Sequence, residues 1–285
     1  MSFLFILFQY IVPQHLLSRI AGKIANSKNI RIKNTLISYF LNNYEINMEE
    51  AHNENPYGYN SFNNFFTRKL KTDARPIDKT KNSIISPADG VISQVGLIDN
   101  GEVFQAKGRS FNLLDFLGGS QNLYNEFSDG SFSTIYLSPK DYHRVHMPFP
   151  GILREMHYIP GDLFSVNPIT VKKVNNLFAR TERLSCIFET SNGPMAVVLV
   201  GAMIVSGICV SWENKRFIKN REIQSFKYPS VGNGAVQLNK GDELGRFMLG
   251  STVVMCFPNK RVSWESNISE NSSVRVGESI AIANV

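Results

Sequence analysis

The chain opens with twelve almost wholly apolar residues, Met1–Val12, interrupted by Pro13. Beyond the proline, apolar side chains recur at Leu16, Leu17, Ile20, Ala21 and Ile24, and again at Ile32, Leu36, Ile37, Phe40 and Tyr44. Spacings of three and four predict two amphipathic helices. Asn53–Asn60 is polar and predicts a loop, and a short helix is expected over Phe62–Leu70. From about Ser83 the period shortens. Runs rich in β-branched residues, Val91–Val95, Phe132–Leu137, Cys186–Phe188, Met195–Val205 and Ser273–Ala281, are separated by Gly, Pro, Asn and Asp. Such runs predict antiparallel strands. The expected fold class is α+β, with N-terminal amphipathic helices followed by a mostly antiparallel β-rich domain. The expected division is a helical segment over residues 1–70 and a β-rich domain over 71–285.

Length and composition narrow the picture. A chain of 285 residues with 43% apolar content can bury a full core, which excludes intrinsic disorder. Cys186, Cys209 and Cys256 sit in apolar runs without metal-ligand spacing, so they are expected as reduced core thiols and no metal site is expected. The net charge is +6, and residues 1–44 carry five cations, Arg19, Lys23, Lys28, Arg31 and Lys33, with no acid. Apolar bulk between those cations favours an anionic membrane surface over nucleic acid. Met1–Val12 falls short of the ~20 apolar residues that span a bilayer. It also lacks the basic start of a signal peptide. The expectation is an anchor lying in the headgroup layer, against the alternative of two ordinary helices packed on the core.

Candidate chemistry lies in three places. Gly250-Ser251 closes the run from Lys240 and leads into the apolar segment Val253–Phe257. Asp89 sits in Ser86-Pro-Ala-Asp-Gly90, and His143 and His146 lie three apart in Asp141-Tyr-His-Arg-Val-His-Met-Pro148. An acid, a histidine and a serine suffice for an activated nucleophile whatever their chain order. Each signal alone has a plain alternative: Asp-Gly is a common turn pair, and Gly-Ser pairs are frequent. Arg68 and Arg75 read as solvated surface charges, with contact to lipid phosphate as the alternative. On the strand assignment, Asp89 precedes one strand, the histidines follow another and Ser251 opens a third, so convergence at one sheet rim is expected.

Together these motifs resemble the phosphatidylserine decarboxylase family. Phe65-Phe-Thr-Arg68, Ala74-Arg-Pro-Ile77, Tyr136-Leu-Ser-Pro139, Pro160–Asn167 and Asn176–Arg180 add to the likeness, which runs from about Phe62 to the C-terminus. The resemblance implies a peripheral enzyme on the cytoplasmic side of the cell membrane that makes phosphatidylethanolamine. Its electron sink would be a covalent pyruvoyl group made from Ser251, without metal or pyridoxal phosphate. The implied maturation uses His146, oriented by Asp89, to take the Ser251 proton. The serine oxygen attacks the Gly250 carbonyl, and the resulting ester is eliminated to leave dehydroalanine. Hydrolysis then releases ammonia and leaves a pyruvoyl-blocked residue 251. Chains of residues 1–250 and 251–285 result and stay together. In turnover the substrate amine forms a Schiff base with the new ketone. His143, with His146 competing, would reprotonate the product carbon, and Ser165 and Tyr136 would help hold phosphatidylserine.

Two other functions stay open on the residues alone. A serine hydrolase acting on lipid esters would use the same triad on an intact chain, although the Gly-x-Ser-x-Gly elbow is absent. A non-catalytic membrane-binding module would depend only on the basic N-terminal segment. A soluble pyruvoyl amino-acid decarboxylase is disfavoured by that same segment. Oligomeric state, including a homo-oligomer, is left open.

Overall fold

The computed structural model describes residues 2–202, 207–213, 222–248 and 251–284. It shows the expected α+β fold, with helices gathered at the N-terminus and antiparallel sheets after them. Helix α1 (Ser2–Ile11) meets α2 (Gln14–Ala25) at 89° across Pro13. Among the described residues no single helix is long and apolar enough to cross a membrane.

Both helical stripes form: the first, on α2, points outward, while the second, over Ile30–Asn43, turns Ile37 and Phe40 inward. Leu4, Phe8 and Ile11 of α1 and Leu16, Ile20 and Ile24 of α2 are exposed, while Gln9, Ser18, Gly22 and Ala25 face inward. The cause lies in the inner contacts. Gln9 is fully buried; its Oε1 accepts from the Ser165 N–H at 2.8 Å and its Nε2 donates to Thr170 Oγ1 at 3.2 Å. Gln14 Oε1 accepts from the Leu163 N–H at 2.6 Å. A buried amide satisfied this way fixes its helix in one rotation, because turning the helix would leave both the amide and its main-chain partners unpaired.

Helix α3 (Ile30–Asn43) starts at Asn29, whose side chain accepts from the Arg31 and Ile32 N–H groups. Ile37 and Phe40 pack on α4 (Phe62–Phe66), with Phe40 edge-on to Phe62, Phe65 and Phe66. Helix α4 is shorter than the expected Phe62–Leu70. Thr67 Oγ1 caps it by donating to the Asn63 carbonyl, and Leu70 leaves to bridge Ala51. Lys33 departs from the expected basic face: it is buried and donates to the carbonyls of Tyr57 and Tyr59 at 2.6 and 2.9 Å.

The main sheet runs in the order Gln224–Lys227, Gly151–Ile159, Arg183–Thr190, Gly193–Val200, Ser251–Phe257, Ser131–Leu137, Gly90–Leu97 and Ser273–Val274, every neighbour antiparallel. Both faces are covered. Val253, Met255 and Phe257 enter one core, while Val254 and Cys256 enter the other. Burial on both sides explains why this segment reads as a continuous apolar run rather than an alternation. The expected strand over Met195–Val205 ends at Val200, and residues 203–205 lie outside the described residues. The expected Ser273–Ala281 run divides into Ser273–Val274 and Ser279–Ala283 in different sheets, with Gly277 between them at φ +92°. Gly151–Ile159, nine residues long, was not expected as a strand, because Arg154, Glu155 and His157 dilute its apolar pattern.

Candidate active site

Strand register brings the three motifs to one rim. Tyr136 lies opposite Val91 on one side and opposite Thr252 on the other, and Leu137 lies opposite Ser251. Asp89 therefore precedes the first residue of one strand, Gly90, and Ser251 opens another at the same rim. The chain carrying His143 and His146 leaves the sheet from Leu137 between them. Gly90 fits this crowding: a Cβ there would stand 2.3 Å from the Tyr136 carbonyl oxygen. Only glycine lets the turn approach so closely. Main-chain bonding closes the rim further, since the His146 N–H donates to the Pro87 carbonyl at 2.7 Å.

The expected bond between Asp89 and His146 is not formed. Asp89 is buried, and its carboxylate is held by Arg75, with Nε 3.0 Å from both oxygens, and by the Val276 N–H at 2.8 Å. Arg75 also donates to Glu50 at 2.8 Å, so it belongs to a largely enclosed network rather than the solvated surface expected of it. His146 is oriented by another group. Its Nδ1 donates to the Gly241 carbonyl at 2.7 Å. That bond fixes the tautomer and leaves Nε2 as an acceptor, 3.1 Å from the Tyr142 hydroxyl. Burial holds the ring below the ordinary histidine range, while the Gly241 carbonyl and the charges of Glu243 and Asp89 pull the other way. A neutral ring with Nε2 unprotonated is the form a general base needs.

His143 is enclosed completely and stacked on Phe66, with ring centroids 4.0 Å apart. Neither ring nitrogen reaches hydrogen-bond geometry, although the nearby main chain of Pro139 and Ser138 favours the protonated form. Burial dominates, the Arg68 cation adds to it, and the ring falls to about 3. Arg68 itself is 5% exposed, so it is no surface charge.

Comparison with known proteins decides the family. The phosphatidylserine decarboxylase pattern matches residues 62–282, and a second pattern described as PSD matches residues 4–45. The phosphatidylserine decarboxylase proenzyme of Bordetella pertussis is 50% identical over 279 residues, covering 98% of this chain and 94% of its own length. The proenzymes of Pseudomonas putida and Pseudomonas fluorescens are 50% and 51% identical, over 99% and 98% of this chain and 98% and 97% of their own lengths. The chain belongs to the phosphatidylserine decarboxylase family.

Within this decarboxylase fold the remaining expected residues fall into two places. Gly250 lies outside the described residues, and Ser251 is described through its main chain alone. Tyr136 and Val166 line one small cavity of about 80 Å3, so the Tyr136 strand and the Ser165 loop share a wall. Ser165 offers its N–H to Gln9, which ties it to α1; among the described residues no hydrogen bond joins it to Asp89 or His146. Tyr142 and Gly241 escaped the sequence reading. Tyr142 sat inside a quoted motif but carries no charge to flag it, and a main-chain carbonyl leaves no mark in the sequence. Among the described residues no group of three or more His, Cys, Asp or Glu is placed to hold a metal ion.

Proposed function

We propose that this chain is a self-processing phosphatidylserine decarboxylase that yields phosphatidylethanolamine and works on the cytoplasmic side of an anionic membrane. The observation that carries the reading is the Val91–Tyr136–Thr252 register, which sets the acid, the histidines and Ser251 around one rim in a chain of this family. Its relatives are named proenzymes, which accords with cutting between Gly250 and Ser251 into chains of 250 and 35 residues.

His146 is the base for Ser251. Gly241 presents its Nε2, and Tyr142 covers that nitrogen until the serine hydroxyl takes its place. Asp89 acts at a distance: its charge favours the imidazolium formed during the attack, while Arg75 and Val276 keep the carboxylate in position. A pyruvoyl group fits residue 251, because Thr252–Cys256 is paired on both sides and a new N-terminus there stays anchored after cutting. That group supplies the electron sink for the charge left when carbon dioxide departs. His143, neutral and dry, delivers a proton from its ring N–H rather than as an imidazolium. Tyr136 and the Ser165 loop bound the substrate space. The outward apolar face of α1 and α2 sits in the headgroup layer, with Arg19, Lys23, Lys28 and Arg31 facing anionic lipid.

Intact mass under denaturing conditions tests the reading. Two chains, one ending at Gly250 and one beginning with a blocked residue 251, are expected. A single chain of 285 residues with an unmodified serine would overturn it.

A further inference from the structure

Arg68 forms part of the wall of a cavity of about 210 Å3 outside the Asp89–His146 rim. Lys69, Arg144 and Arg246 line the same space, with the side chains of Asn53 and Asn64, and its described lining holds no carboxylate. Arg144 is already satisfied: it donates twice to the Thr67 carbonyl and once to Glu243. Arg246 approaches the same Glu243 only at 3.9 Å. Arg68 is different. It is 95% buried by its 5% exposure, yet its Nε and Nη1 have no hydrogen-bond partner. Its guanidinium carbon lies 5.8 Å from the centre of the Phe65 ring, and its other side borders the space that holds Asp89, whose charge acts on it without a hydrogen bond. Burial pushes its proton affinity below the ordinary arginine range.

A buried guanidinium with two unpaired donors is costly unless an anion completes it. The cations around this cavity come from three places in the chain, Arg68–Lys69, Arg144 and Arg246, the last two facing each other on paired strands. A tetrahedral oxyanion offers acceptors in several directions and suits that arrangement better than a planar carboxylate.

We propose that this cavity is a binding site for a phosphate group, either that of a phospholipid headgroup or free phosphate. Arg68 and Lys69 are its principal donors. The site touches the proposed chemistry through Arg68, whose charge acts on His143, so an anion bound there offsets the cation that disfavours protonation of that ring.

Calorimetric titration of the full-length protein in a neutral detergent tests the site, with inorganic phosphate and glycerophosphoserine as separate probes. Saturable binding is expected in the unaltered protein. A loss of roughly tenfold to a hundredfold is expected in Arg68→Met and in Lys69→Met, the worth of one charged hydrogen bond. Lys69 is exposed, so Lys69→Met keeps the test decisive if Arg68→Met fails to fold. Tighter binding of glycerophosphoserine assigns the site to a headgroup; phosphate binding at least as tightly assigns it to the free ion. Equal affinity in all three proteins, or no saturable binding of either probe, overturns the proposal. Chain cutting, read by intact mass, stands apart: a variant that cuts normally but loses the probe supports the phosphate site whatever the fate of the decarboxylase reading.

Discussion

His143→Phe should flatten the acid limb of stability. In the folded chain the His143 ring stays neutral down to about 3, and in the unfolded chain it titrates near its ordinary 6.5. Between those values the unfolded state binds the extra proton, so stability falls as pH falls. The loss begins near pH 6.5 and is complete below about pH 3. Each pH unit inside the window is worth about 1.4 kcal/mol, so the drop from pH 7 to pH 5 is about 2 kcal/mol. Phenylalanine keeps the stack on Phe66 and sacrifices no hydrogen bond, because neither ring nitrogen has a partner. The assay is urea unfolding followed by the emission of Trp212 and Trp264, at both pH values. A Ser251→Ala background keeps the chain in one piece, so unfolding stays unimolecular. The parent should lose about 2 kcal/mol more than the variant over that interval. An identical loss in both would show that His143 takes up its proton normally while folded, and the dry-ring account would fail.

Three further outcomes follow from the same geometry. Arg75→Met leaves the Asp89 carboxylate in an enclosed site with only the Val276 N–H, and should cost about 3 kcal/mol in urea unfolding; a change within experimental error would mean solvent already compensates the carboxylate. Leu4→Glu and Ile11→Glu each replace an exposed apolar side chain worth about 1.5–3 kcal/mol on burial in lipid, so sedimentation with anionic vesicles should fall at least about tenfold. Unchanged sedimentation would remove the α1 face from the anchor. Tyr142→Phe removes the donor that favours neutral His146, so the pH at which the precursor begins to cut should move upward. A downward shift would contradict the assigned tautomer.

Much of the fold was legible because its signals are local. The Ser251–Phe257 segment is buried on both faces, so a short apolar run after a Gly-Ser pair was enough to place a strand. Asp89 and Ser251 reach one rim because their strands flank a common neighbour, and strand ends can be read from turn residues. Partner choice was not legible. Asp89 turns to Arg75 and Val276, and the proximity of a carboxylate and a histidine in space carries no information about which donor wins. Arg68 and Lys33 were misplaced for one reason: a long cation in a polar stretch reads as solvated, and only the aromatic cluster of Phe62, Phe65 and Phe66 or the carbonyls of Tyr57 and Tyr59 reveal otherwise. The phase of the second N-terminal stripe was equally hidden, since periodicity gives a face but not its direction; for the first, the cations beside its apolar bulk already favoured an outward face.

That direction links the two ends of the proposed function. Had α1 and α2 turned their leucines to the core, Gln9 would face solvent and the Leu163–Thr170 segment would lose three hydrogen bonds. Instead each glutamine secures the loop below it, and Tyr10 packs edge-on to Phe164 with Arg180 over both rings. The same loop supplies Val166 and Val171 to the cavity beside Tyr136, one residue from the Ser251 register. The outward apolar face and the wall of the substrate space are therefore two sides of one hydrogen-bonded unit. On the proposed reading, a lipid-embedded α1 fixes the height of that wall above the headgroups. An enzyme whose substrate never leaves the bilayer needs its reactive rim at such a fixed depth, and a polar inner face on an otherwise apolar helix is a direct way to hold it there.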